Sequence, residues 1–151
     1  MVLDRQQLSA AWLSAAMIVA AGIVSAVHEL TPFARGSWLV AYLVLVGGVA
    51  QALLAFGPRW AGAVATPAAR RWAGTWLWVA GSLLVPAGRL AGLAPLTIAG
   101  SIALLAALAG YAATVLRAPR GIARRVGVYL ALVAFLATSV GVGLVLAFAG
   151  G

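Results

Sequence analysis

Runs of about twenty mostly apolar residues recur along this chain, and that is the length a helix needs to cross a hydrocarbon core of roughly 30 Å. Five stretches can be drawn, at approximately residues 8–27, 38–56, 72–90, 95–116 and 126–148. Of the 151 residues, 65% are hydrophobic and 8% charged, too little charge to cover the surface of a soluble domain this size. The pattern therefore implies one all-α membrane domain, a polytopic helical bundle with five transmembrane helices.

The connections support these boundaries. The first stretch follows Asp4 and Arg5. A secretory signal ending at Val24-Ser25-Ala26 is the alternative, but the run exceeds the usual apolar core of roughly 7–15 residues, so it is read as a helix. Pro32 disfavours helical geometry at Thr31 and ends that helix before it. The second stretch holds Gly47-Gly48 at its middle, glycine being common where membrane helices cross. Gln51 is the one amide inside an apolar run, and the expectation is a hydrogen bond across to a neighbouring helix or carbonyl. Gly57 to Arg71, with two prolines, two glycines and three arginines, reads as a loop. The third stretch begins at Trp72, with a kink expected near Pro86 and Arg89 reaching outwards at its far end. Pro95 suits the first turn of the fourth, where its missing N–H costs nothing. Arg117 to Arg125 is a basic loop before the fifth.

Five crossings place alternate connections on opposite sides. Arg5, Arg59, Arg70, Arg71, Arg117, Arg120, Arg124 and Arg125 fall on one side, and only Arg35 and Arg89 on the other. Basic residues in short loops stay in the cytoplasm, so the N-terminus is inside and the C-terminus outside. Ten arginines with no lysine, together with the load of alanine and glycine, suggest a GC-rich bacterial genome and hence a bacterial inner membrane. Without the third crossing the last loop changes side and the asymmetry disappears. The excess of arginine, a net charge of +8, is then met by anionic lipid headgroups on the cytoplasmic side. No basic patch alternates with exposed aromatics, which argues against nucleic acid. Trp12, Trp60, Trp72, Trp76 and Trp78 form a cytoplasmic aromatic belt, with Trp38 at the outer boundary.

Little in the sequence carries chemistry. With no cysteine, thiolate catalysis and cysteine-ligated metals are excluded. One histidine and two carboxylates give no catalytic set and no closed metal site. No carboxylate lies within an apolar stretch, where a proton-coupled carrier would use one. What remains is an outer cluster. Glu29 can pair with Arg35 or Arg89, and His28, with Tyr42 and Arg89, can bind a small molecule or supply one axial haem ligand. The plainer reading is an interfacial ion pair holding a loop, with His28 solvated at a helix end.

The segment GSWLVAYLVLVGGVAQ, Gly36 to Gln51, resembles a helix of the haem-copper oxidase-like and NnrS-like membrane proteins. These carry Gly-x-Trp, then a histidine, then an apolar run with a central glycine. Tyr42 stands about where that histidine would be, so the resemblance implies the helical scaffold without the metal.

Small residues four apart, at Ala21/Ser25, Gly22/Ala26, Ala137/Gly141 and Ser139/Gly143, permit close helix approach. The leading expectation is a non-catalytic protein acting through helix packing, as a homo-oligomer or with other membrane subunits. A binder of haem or another small molecule around His28, and a small-solute transporter with a path near Gln51, are the alternatives.

Overall fold

A computed structural model describes residues 5–63, 67–117 and 123–149, with side chains as far as Val145. Arg120 in the last basic loop lies outside the described residues. Among the described residues the chain is helical and has no strand. The helices are α1 (Arg5–Leu30), α2 (Gly36–Trp60), α3 (Ala68–Ala91), α4 (Ala94–Val115) and α5 (Ala123–Ala149). Four of them, α1, α2, α4 and α5, are long and apolar enough to cross a membrane. Helix α3 has the length, at 24 residues, but its arginines, its proline and its indoles dilute its apolar character.

The chain forms two compact units, Met1–Ala55 and Phe56–Gly151, and the boundary falls inside α2.

In the first unit α1 packs antiparallel against α2. Gly36 lies against the His28 ring, and Gly47 and Gly48 lie against Met17 and Ile18. A side chain at Gly48 would meet Ile18 Cγ1 at 2.5 Å, so the paired glycines set how closely the helices cross. From Leu43 to Ala50 the backbone winds as a π-helix, with one α-helical segment before it and another after. That winding changes the hydrogen-bond step from four residues to five and back, which leaves a carbonyl to be satisfied from elsewhere. The Gly48 carbonyl accepts the Gln51 N–H and also the Ser14 hydroxyl, at 2.8 Å.

Helix α2 does not stop at Gly57, as the sequence implied, but runs through Pro58 to Trp60. Proline removes one donor from a helix and crowds the turn before it, and here the helix tolerates both so near its end. The stop comes at Gly62, which takes a left-handed φ of 73°. Its N–H donates to the Arg59 carbonyl and the Ala63 N–H donates to the Pro58 carbonyl, a pair of bonds that closes the last turn. Helix α3 ends similarly, at Gly92 with φ 69° and the Leu93 N–H on the Gly88 carbonyl. Two residues later Pro95 occupies the first turn of α4, as expected.

The second unit is organised by the antiparallel pair α3 and α4. Gly74 faces Tyr111, Gly81 faces the Gly100 carbonyl and Leu104, and Gly88 faces Thr97. Glycines thus mark this contact from end to end. Helix α5 lies along α4, and Tyr129 on it, 2% exposed, seats its ring on Gly57. Trp78, 1% exposed, is the largest fully buried side chain and belongs to this core rather than to an interfacial belt. Two residues along a helix turn a side chain to the other side, so Trp76 is exposed and stacks on Trp72 while Trp78 points inwards.

Candidate functional site

His28 sits in the last turn of α1, and the chain reverses just beyond it. Arg35 takes a left-handed φ of 68° to enter α2, the one such non-glycine among the described residues. The Phe33 N–H donates to His28 Nδ1 at 3.3 Å. The other ring nitrogen, Nε2, faces the Ser37 hydroxyl at 3.3 Å. The Phe33 ring meets the imidazole edge-on at 5.1 Å. Both nitrogens and one face of the ring are thus used in clasping the α1–α2 turn. A metal or haem iron would have to displace the Phe33 N–H to reach the ring's lone pair.

Glu29 and Arg35 are exposed, on either side of the same turn. Arg89 belongs to the second unit, in the last turn of α3. Tyr42 packs its ring on Trp38 at 5.3 Å, and its buried hydroxyl meets no hydrogen-bond partner among the described residues. Among those residues, no three of the His, Asp and Glu side chains gather as a metal site would require.

Gln51 is buried, at 2% exposure, but it does not make the cross-helix bond expected of it: neither amide atom meets a partner among the described residues. At this level a bond between α1 and α2 comes instead from Ser14, whose hydroxyl reaches the Gly48 carbonyl. Ser14 drew no attention in the sequence because a serine in an alanine-rich helix ordinarily bonds its own backbone. Gln6 and Gln7, also buried at the start of α1, were equally unmarked.

At the opposite end of α4 from Pro95 the second unit has a layer of tyrosines. Tyr111 is hydrogen-bonded to Thr75 and packs on Gly74, while Tyr129 packs on Gly57. One turn outwards from this layer, the Arg125 guanidinium lies over the Trp60 indole at 5.8 Å. No family model, curated protein or solved structure matches the chain.

Proposed function

We propose that the chain is a five-crossing protein of a bacterial inner membrane, with its arginine-rich connections in the cytoplasm. It acts through helix packing and without catalysis, as a homo-oligomer or as a subunit of a larger complex. The observation that carries this reading is a division among the glycines. Gly47, Gly48, Gly81, Gly88 and Gly100 are filled by contacts within the chain. Gly22, Gly110, Gly127, Gly141 and Gly143 face open space. The last three are all on α5, whose apolar stretch is only 11% buried. Small residues that leave backbone accessible let a further helix approach as closely as α3 approaches α4.

Two arguments support the fifth crossing and the orientation. Helix α3 lies antiparallel beside α4 from Gly74–Tyr111 to Gly88–Thr97, which supports counting it as a crossing alongside α4. With α3 counted, eight of the ten arginines fall on one side.

In mild detergent the protein is expected to run as an oligomer or to bring a second polypeptide with it. Gly141→Leu combined with Gly143→Leu should release the monomer with its helix content intact. A lone monomer that copurifies with nothing would sink the proposal. For the orientation, a reporter fused after Gly151 should be active only outside the cytoplasm, and activity confined to the interior would reverse it.

A further inference from the structure

Among the described residues, the second unit gathers all of its cations except Arg89 at one end. Arg59 closes α2, Arg70 and Arg71 open α3, Arg117 follows α4, and Arg124 and Arg125 open α5. The antiparallel order of α3, α4 and α5 brings those termini together, one to two turns beyond the Tyr111 and Tyr129 layer. Residues 56–151 contain no aspartate or glutamate, so no side-chain carboxylate of this unit can balance the guanidinium groups.

Placement makes the imbalance sharper. Arg70 and Arg71, and again Arg124 and Arg125, stand in the first turn of a long helix that has no acidic residue in that turn. The unpaired N–H groups there already carry positive partial charge, so each cation is opposed by its own helix and an anion would be favoured. Both helices open on the same words, Ala-Arg-Arg followed by an apolar residue, at Ala69 to Trp72 and at Ala123 to Val126.

The surroundings identify the kind of anion. Trp60 is 50% exposed and Trp76 56%, and the Arg125 guanidinium lies over the Trp60 indole. Indoles in this position sit at the level of glycerol and headgroups. Tyr129 on Gly57 locks α5 to the end of α2 one turn further in, which holds Arg125 and Trp60 in register. A guanidinium fork beside an exposed indole presents charge to a phosphate and apolar surface to the chain beneath it.

We infer that this end of the second unit binds the phosphate group of an anionic phospholipid, with Arg124, Arg125 and Trp60 at the centre of the site. The inference deepens the membrane reading above by naming a ligand for one end of the bundle. It does not depend on which side of the membrane that end faces.

The test uses the whole protein in an uncharged detergent, with phosphatidylglycerol, phosphatidylcholine or inorganic phosphate added separately, and follows thermal unfolding and native mass spectra. Phosphatidylglycerol should raise the melting temperature saturably and remain bound in the spectrum, an effect that weakens with salt. Phosphatidylcholine should do neither. The double variant R124Q/R125Q, with both positions exposed, should keep its helix content and bind phosphatidylglycerol roughly 30-fold more weakly. An equal response to phosphatidylcholine, or unchanged binding in R124Q/R125Q, overturns the inference. Inorganic phosphate that reproduces the stabilisation and displaces the lipid also overturns it, leaving a plain anion site. Because micelles have no sides, a reporter result that reverses the orientation leaves this outcome standing, and the converse is equally separable.

Discussion

Leucine in place of Gly100 is expected to cost about 3 kcal/mol or more and to splay α3 from α4. The reason is what a first side-chain carbon would meet. It would lie 2.8 Å from the Val85 nitrogen and 2.9 Å from both Leu84 Cβ and Val85 Cγ2. Backbone and a Cβ cannot rotate away, so the helices themselves must separate. The loss then spreads to Gly81, whose own contact is the Gly100 carbonyl, and to the neighbouring buried Leu104. The same helix supplies the control. Gly110 faces open space, and Gly110→Leu should leave the packing of α3 on α4 unchanged and be neutral or slightly favourable for the fold of the single chain, because leucine is the better helix former. Both variants can be measured in mild detergent by denaturant or thermal unfolding, read by circular dichroism and tryptophan fluorescence. Equal stabilities for the two would mean that α3 and α4 do not cross at Gly100.

That pair of glycines also marks where reading the sequence succeeds and where it stops. Apolar length locates α1, α2, α4 and α5, since an isolated helix satisfies its own backbone in hydrocarbon, whereas the third stretch is drawn with help from the distribution of arginines. Gly47-Gly48 is recognisable as a crossing point because adjacent glycines in an apolar run have few other uses. Nothing in the residue types separates Gly100, wedged against Val85, from Gly110, which touches nothing; that depends on which face of α4 meets α3. Gly57-Pro58 misleads for a related reason. Both are helix breakers locally, but Gly57 is where the Tyr129 ring lands, and packing of this kind outweighs propensity.

The candidate site was legible only as an inventory. His28 is the single histidine, so attention falls on it, but its Phe33 and Ser37 partners follow from the tight turn and not from residue spacing. The π-helix has no sequence signature beyond the two glycines, and the Ser14 bond it accommodates could not be anticipated. Trp78 resembles its neighbours Trp72 and Trp76 in type and differs only in facing inwards.

Gln51→Leu is expected to stabilise the protein by about 1–3 kcal/mol, the usual penalty of leaving a buried polar group unsatisfied. Among the described residues, neither buried amide atom of Gln51 has a partner. In the unfolded state in denaturing detergent the amide reaches water, so the whole penalty belongs to the folded state. Leucine fills a similar volume without a group to satisfy, and it retains the backbone N–H that bonds the Gly48 carbonyl. Ser14→Ala should act in the opposite direction, costing about 0.5–1.5 kcal/mol, because it removes the bond that ties α1 to the π-helical segment. The two signs make a single unfolding series decisive. Should Gln51→Leu destabilise by as much as Ser14→Ala, the amide has a partner in the folded protein, and the junction between the π-helical and α-helical parts of α2 is held by a bond to that side chain. Should it stabilise while Ser14→Ala destabilises, the α1–α2 pair is held at this level by Ser14 and the glycine backbone, and Gln51 is kept at a cost to stability.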